Sequence, residues 1–190
     1  LHALGCLHEG DRVMITSAIT VHSANGPAVT IIQGAQVPGT TNGNAAVRCV
    51  YLGENAALFG FTLTNGATLG PIGSGSDQFG GGVYCQSSSV VSNCFLLGNA
   101  AGGGGGSYEG TLNNCTLSGN SASSGGGTVG GTLNNCTLVG NAAGSTGGGS
   151  ASGTLNNCTL AANSAGYGGG GLSYGILNNW SVSNNTAGAQ

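Results

Sequence analysis

The stretch Gly110-Thr-Leu-Asn-Asn-Cys-Thr-Leu117 occurs three times in this chain. It returns as Gly131-Thr-Leu-Asn-Asn-Cys-Thr-Leu138 and as Gly153-Thr-Leu-Asn-Asn-Cys-Thr-Leu160, so that the starts are 21 and 22 residues apart. A looser copy, Gly175-Ile-Leu-Asn-Asn-Trp-Ser-Val182, follows 22 residues later. Self-similarity at a fixed period of about 20 residues or more is the sequence signature of a solenoid.

Each repeat predicts several short strands. The apolar runs are too short for helices, and they are separated by Asn, Ser and Gly, which favour turns. One repeat therefore has the content of a single coil of a β-helix, and stacked coils would pair their strands in parallel at about 4.8 Å per coil. We predict an all-β chain that forms a parallel β-helix, or β-solenoid, with coils of 21–22 residues.

Stacking predicts columns of equivalent residues along the axis. Alternation along a strand points Leu112, Cys115 and Leu117 inward. Amides stacked inside a parallel sheet can bond to one another and so satisfy buried polar groups. Two asparagine ladders are predicted: the first is Asn93, Asn114, Asn135, Asn157 and Asn179, and the second is Asn99, Asn120, Asn141, Asn163 and Asn184.

The repeats resemble a known family. Gly80-Gly-Gly-Val-Tyr84, Leu-Asn-Asn-Cys-Thr-Leu and Gly-Asn-x-Ala before a glycine run are similar to right-handed parallel β-helix repeats of large secreted or surface proteins of bacteria, in the pectate-lyase-like superfamily. Residues 15–27, 30–34 and 60–66 resemble the N-terminal coils of the same group. The resemblance covers nearly the whole chain and implies a right-handed coil. It implies no single function, because this fold hosts lyases, hydrolases, adhesins and passive stalks.

Composition argues against several functions. The chain of 190 residues has no Lys, and its two basic residues are Arg12 and Arg48. Nucleic-acid binding needs clustered Lys and Arg, so we expect none. No apolar run approaches the roughly 18 residues of a membrane-spanning helix, so we expect no span. We also expect no cofactor.

The chain is predicted to form one continuous domain. Residues 1–46 would hold an N-terminal cap and the first, irregular coils, and residues 47–190 the regular coils. Val50-Tyr51 matches Val83-Tyr84 at an offset of 33, which exceeds the standard period and predicts an insertion at 67–80. Insertions on one coil are where solenoids often carry function.

A column of cysteines is the most conspicuous chemical feature. Free Cys is among the most buried residue types, so a stack of small hydrophobic side chains is favoured. Disulfides between adjacent coils are an alternative, although parallel side chains place the Cβ atoms slightly too far apart. A metal ladder is a third, but it lacks paired CxxC spacing and His partners, and we predict no metal site. The column is Cys94, Cys115, Cys136 and Cys158.

The candidate binding surface lies at the insertion and comprises Asp77, Phe79 and Tyr84. A glycosidase would need a carboxylate pair, for which Glu54, Asp77 and Glu109 are available. We predict instead that these acids are solvated turn residues, and no catalytic residue is assigned. A continuous aromatic track is not expected, because Tyr108, Tyr167 and Tyr174 do not share one repeat position.

The repeats also create glycosylation sequons. The motif Asn-x-Ser/Thr begins at Asn114, Asn135, Asn157, Asn179 and Asn184. If the first asparagine ladder is buried, its members cannot carry a glycan, and the ladder interpretation is preferred.

The sequence favours an extracellular or cell-surface β-solenoid without catalytic activity, acting as a structural or adhesive rod. Its solenoid ends would pair with another copy, giving head-to-tail fibres, or with neighbouring coils of a longer chain. Glycans are a further candidate partner. The alternative is a carbohydrate-binding or polysaccharide-degrading domain, which would show acids and aromatic rings clustered near the insertion.

Overall fold

The chain folds into a parallel β-helix, as the repeats predict. A computed structural model describes residues 10–69 and 75–188, in which short strands dominate. In chain order the strands are β1 (Asp11–Ile15), β2 (Thr20–His22), β3 (Ile31–Gln33), β4 (Arg48–Leu52), β5 (Ala57–Phe59), β6 (Thr62–Thr64), β7 (Val83–Cys85), β8 (Val90–Ser92), β9 (Phe95–Leu97), β10 (Ala100–Gly103), β11 (Ser107–Tyr108), β12 (Thr111–Asn113), β13 (Thr116–Ser118), β14 (Ser121–Ser124), β15 (Thr128–Val129), β16 (Thr132–Asn134), β17 (Thr137–Val139), β18 (Ala142–Ala143), β19 (Ser150–Asn156), β20 (Thr159–Ala161), β21 (Ser164–Ala165), β22 (Leu172–Asn178), β23 (Ser181–Ser183) and β24 (Thr186–Ala187).

Three sheets run along the axis. The first has 12 strands in two ladders, β1-β4-β7-β11-β15 and β2-β5-β8-β12-β16, which join at β19 and β22 because each of these strands continues through both positions. The second has seven strands in the order β3-β6-β9-β13-β17-β20-β23. The third has five in the order β10-β14-β18-β21-β24. Neighbouring strands are parallel, as the stacking of successive coils requires.

The core consists of stacked leucines. Leu112 pairs in register with Leu133, which pairs with Leu155, and the column of Leu117, Leu138 and Leu160 lies opposite on the second sheet. These side chains are fully buried. Each contributes about 1.5–3 kcal/mol by leaving water, so the same position in every coil must remain apolar.

A buried asparagine ladder joins the second and third sheets. The Oδ1 of Asn120 accepts from the backbone N–H of Asn99 at 2.9 Å and from its Nδ2 at 3.1 Å. The Nδ2 of Asn120 donates to the Leu96 carbonyl and to the Oδ1 of Asn141, both at 2.9 Å. Asn141 and Asn163 repeat this pattern, which confirms the predicted asparagine ladder.

The last member of this ladder differs from the prediction. The backbone N–H and Nδ2 of Asn163 donate to the Oδ1 of Asn185 at 2.9 and 2.8 Å, so Asn185, not Asn184, continues the column. Asn184 instead occupies the preceding left-handed corner with φ 53°, as Ala162 does in the coil before it with the same φ. The prediction was off by one residue because the repeat lengthens by one residue after Asn141.

The glycine runs are required by the ladder. A Cβ on Gly106 would lie 3.1 Å from the Nδ2 of Asn120 and 2.7 Å from the Gly127 carbonyl oxygen. Gly127 and Gly149 meet the amides of Asn141 and Asn163 in the same way. The coil therefore needs glycine wherever its backbone passes over the buried amides.

The insertion lies between the second and third coils. Val50 pairs with Val83 and Thr62 with Phe95, which confirms the offset of 33 residues. Within residues 67–80 the structure describes a short 3-10 helix at Gly75–Gln78. The cap predicted for the N terminus falls largely on residues 1–9, which lie outside the described residues, as do residues 70–74. No helix in the described ranges is long and apolar enough to cross a membrane.

Removing one amide from the buried ladder should destabilise the protein strongly. We expect Asn141→Ala to lower the free energy of unfolding by about 3 kcal/mol or more, because an unpaired buried donor or acceptor costs about 1–3 kcal/mol and this change strands several. The measurement is urea denaturation followed by circular dichroism.

The matched control is Asn135→Gly, which removes an exposed amide at a corner with φ 54° that glycine accepts. It should change the free energy of unfolding by about 0.5 kcal/mol at most. Equal losses in the two variants would show that the buried amides do not stabilise the stack.

Candidate functional site

The insertion and the adjoining coils form a stack of four aromatic rings. Tyr51 and Tyr84 are 5.3 Å apart between ring centroids and 7° from parallel, and Tyr84 and Tyr108 are 5.3 Å apart at 14°. Phe79 stacks on Tyr108 at 4.6 Å and 27°. The tyrosines meet because β4, β7 and β11 pair in register, whereas Phe79 is supplied by the insertion.

The sequence analysis missed this stack. Val83 pairs with Ser107 but Val90 pairs with Thr111, so the glycine run before β11 is longer than the standard repeat allows. That extra length places Tyr108 beside Tyr84, and the expectation that Tyr108 lies outside any aromatic track was wrong. Tyr167 and Tyr174, by contrast, are exposed on the last coils.

Phe79 is held against the helix by a missing side chain. It forms an isolated parallel bridge with Gly103, and a Cβ on that glycine would lie 2.9 Å from the Cδ1 of Phe79. Any other residue at position 103 would push the ring off the stack. The glycines before β11 thus seat the insertion as well as the asparagine ladder.

Arg48 fixes the insertion from below. Its Nη1 lies 2.5 Å from the Oδ1 of Asp11, with both side chains buried. Its Nε donates to the carbonyl of Gly80 at 3.0 Å, and its Nη2 donates to the carbonyls of Ser76 at 2.6 Å and Phe79 at 3.0 Å. The guanidinium also lies 5.4 Å from the centre of the Tyr84 ring, a cation–π contact.

The aromatic stack is poorly suited to hold a sugar. Tyr84 has a ring on each side, Tyr51 and Tyr108, and a sugar binds an aromatic side chain through the open face of its ring. Of the candidate surface, Phe79 and Tyr84 are joined through Tyr108, whereas Asp77 lies in the short helix at the edge of a cavity. The geometry therefore assigns this cluster to holding the insertion in place.

The cavity beside Asp77 has a volume of about 500 Å³. Its lining includes Asp11, Arg48, Thr68 and Asp77, and it also includes Gly10 and Leu69, which border the segments outside the described residues. The paired charges of Asp11 and Arg48 are already engaged with each other. The described lining thus offers one further carboxylate, that of Asp77, which does not make a two-carboxylate site.

The other acidic residues are placed separately. Glu54 accepts hydrogen bonds from the backbone N–H and the hydroxyl of Ser88 in the next coil. Glu109 follows the aromatic stack, where burial, and then this carboxylate, raise the pKa of Tyr108. Among the described residues no group of three or more His, Cys, Asp or Glu side chains could hold a metal ion.

The cysteine column lies in the core. Cys94, Cys115, Cys136 and Cys158 are buried free thiols, as are Cys49 and Cys85. The Sγ of Cys136 accepts from the backbone N–H of Cys115 at 3.4 Å and donates to the carbonyl of Leu112 at 3.5 Å. Burial raises the pKa of Cys49 and of Cys85 to about 12, so these thiols stay protonated and inert in the folded protein.

The first predicted asparagine column lies elsewhere than expected. Asn114, Asn135, Asn157 and Asn179 are exposed, and the prediction that this column is buried was wrong. They stand with Asn93 at left-handed corners between the first and second sheets, with φ of 50–54°. Such a corner turns the side chain away from the core. The printed contact between their amides runs from the Nδ2 of Asn157 to the Oδ1 of Asn135 at 3.2 Å.

The preceding asparagines form a second, surface ladder. The Nδ2 of Asn134 donates to the Oδ1 of Asn113 at 2.9 Å, that of Asn156 to Asn134 at 2.8 Å, and that of Asn178 to Asn156 at 2.9 Å. Alternation could have revealed them, because Leu112 points inward and its neighbour Asn113 must point outward. The Asn-Asn pair thus supplies one laddered and one free amide per coil.

Comparisons with protein families, with curated proteins and with solved structures gave no match, and so they assign no family or activity to the chain.

Replacing Arg48 by Lys should release the insertion. Lysine keeps the positive charge beside Asp11 but cannot donate in several directions to the carbonyls of Ser76, Phe79 and Gly80. We expect a loss of about 1–3 kcal/mol in the free energy of unfolding and faster cleavage by proteinase K within residues 67–80. Arg12→Lys is the control, since exposed Arg12 donates from its Nε to one carbonyl, that of Gln33. Unchanged cleavage in Arg48→Lys would contradict this role.

Stability should fall in alkaline solution. An unfolded thiol has a pKa of about 8.5, whereas burial raises the pKa of Cys49 and Cys85 to about 12. Between these values the unfolded chain binds fewer protons than the folded one, so stability is full below pH 8.5 and falls as pH rises toward 12. Urea midpoints measured at pH 7, 9 and 10.5 check this.

In the same experiment the double variant Cys49→Ala, Cys85→Ala, although less stable at pH 7, should show a shallower alkaline decline. A decline as steep as that of the unmodified chain would mean that other groups cause it.

Proposed function

We propose that this chain is a rigid, non-catalytic rod that acts outside the cell as a structural or adhesive element and assembles end to end. Supporting the rod is the internal pairing of its polar groups: in the described ranges no buried side-chain nitrogen or oxygen lacks a hydrogen-bond partner. Stacked strands with buried ladders give stiffness along the axis. The extracellular location rests on the resemblance of the repeats to secreted and surface proteins.

The observation that carries the assembly is the open edge of the last described coil. Within the described residues β22, β23 and β24 each pair with a strand on one side and present the other side unpaired. An unpaired strand edge is a template for another strand. At the opposite end β1, β2 and β3 occupy the outer positions of the first and second sheets, and they run in the same direction.

Core side chains at this edge reach solvent. Val182 continues the leucine column of the second sheet and is 41% exposed, and Trp180 continues the cysteine column and is 58% exposed. No charged side chain lies in β22, β23 or β24 to oppose the approach of another apolar coil. A second copy that presents its β1 to β3 would continue both sheets and cover these residues.

A charge placed in this edge should prevent assembly. We expect the unmodified protein to form oligomers whose axial repeat is on the order of 35 Å, that is seven coils at one strand spacing each. Val182→Lys should leave single rods, because burying its ammonium group against another coil is costly. Sedimentation velocity over a concentration series and negative-stain electron microscopy measure this.

Ser164→Lys is the matched control, since it adds the same charge at an exposed position of β21, within a paired strand of the third sheet. It should assemble like the unmodified chain. Single rods of the unmodified chain at the highest concentration would overturn end-to-end assembly and leave further coils of a longer chain as the partner of this edge.

A further inference from the structure

We propose that the exposed asparagines form a binding ridge for a neutral polysaccharide chain that lies along the axis of the rod. This amide ridge consists of the laddered residues Asn113, Asn134, Asn156 and Asn178 and the corner residues Asn114, Asn135, Asn157 and Asn179. The inference rests on the adhesive part of the proposed function, and it places the contact away from the insertion.

The ridge retains unused hydrogen-bonding capacity. An asparagine amide carries two N–H donors and an oxygen with two lone pairs. Asn134 spends one N–H on Asn113 and one lone pair on Asn156, which leaves one of each. The adjacent corner amide of Asn135 is exposed. Every coil thus presents donors and acceptors side by side, held in place by the ladder.

The flanks of the ridge are hydroxylic and uncharged. Thr111, Thr132 and Thr154 point outward on the side of the first sheet, and Thr116, Thr137 and Thr159 do so on the side of the second. A surface of amides and hydroxyls without charge suits a neutral, polyhydroxylated chain. An acidic polysaccharide is disfavoured, because the whole sequence has only two basic residues and Arg48 is buried in an ion pair.

Aromatic side chains stand at both ends of the ridge. Phe59 lies in the same column, separated from Asn113 by Ser92, and it is 37% exposed beside the ring of His22 at 5.0 Å. Trp180 follows the last corner, Asn179, and is 58% exposed. Unlike Tyr84, these rings have no aromatic neighbour on each face, so they can take a sugar ring at either end.

The spacing of the ridge fits a repeating ligand. Successive coils repeat every 4.8 Å or so, the separation of paired strands. Equatorially linked pyranoses advance by nearly the same distance per sugar. A chain lying along the ridge would therefore meet an equivalent set of amides at each sugar, and many weak contacts would add up within one ligand.

Glycine substitution tests the ridge without disturbing the fold. The triple variant Asn114→Gly, Asn135→Gly, Asn157→Gly deletes three amides at left-handed corners that glycine accepts. The control is Ser121→Ala, Ser164→Ala, which removes exposed hydroxyls from the third sheet. The probes are hydroxyethyl cellulose, galactomannan and xyloglucan, used in native affinity electrophoresis, with polygalacturonate as the acidic comparison.

The expected result is retardation by at least one neutral polysaccharide and none by polygalacturonate. The triple glycine variant should weaken that retardation at least tenfold in apparent affinity, and the serine control less than twofold. A hexasaccharide of the retained polymer should bind at least tenfold more tightly than the disaccharide and should change the emission of Trp180, the one tryptophan of the chain.

Three results would overturn the ridge: no retardation by any neutral polysaccharide, equal retardation of the triple glycine variant, or disappearance of lateral clusters of rods in that variant without any sugar binding, which would make the ridge a contact between copies. These failures leave the rod and its end-to-end assembly untouched. Release of new reducing ends from a bound polymer would instead overturn the non-catalytic function and leave the ridge standing.

Discussion

The whole structure depends on the hydrogen bonds between buried asparagine amides of successive coils. Each amide in the column from Asn99 to Asn185 bonds to the next coil through its oxygen and to a core-strand carbonyl through its nitrogen. A shift by one residue would bury an alanine or a glycine where an amide must be, and would leave several polar groups unpaired at about 1–3 kcal/mol each. The ladder therefore sets the register of the coils.

That register explains much of the unusual composition. The backbone passes so close to the amides that only glycine fits at Gly82, Gly106, Gly127 and Gly149. The same columns that fix the amides align the leucines and the thiols of the core. Because stability comes from stacking like on like, the chain does not need charges, and it uses one buried ion pair, Arg48 with Asp11, at the place where the insertion interrupts the repeat.

How far the sequence predicts this structure depends on how regular the repeat is. The identical phrases beginning at Gly110, Gly131 and Gly153 predicted the strands, the core and the buried ladder. Prediction failed where the spacing changed: one added residue exchanged Asn184 for Asn185, and a longer glycine run hid the pairing of Tyr84 with Tyr108. The sequence pairs Asn113 with Asn114, but only the backbone angle at the corner shows which amide is laddered and which is exposed.

The same constraint bears on function. An active site needs unlike groups that converge on one point, and a stack of identical coils places like groups in parallel rows instead. Among the described residues the acids are placed apart and the largest aromatic cluster is consumed in holding the insertion. What the repeat does produce is a surface with a constant period. Such a surface discriminates poorly between single small molecules but can engage a polymer of similar period at many points, and for this reason the outward-facing asparagines, rather than the insertion, are where recognition would be found in this chain.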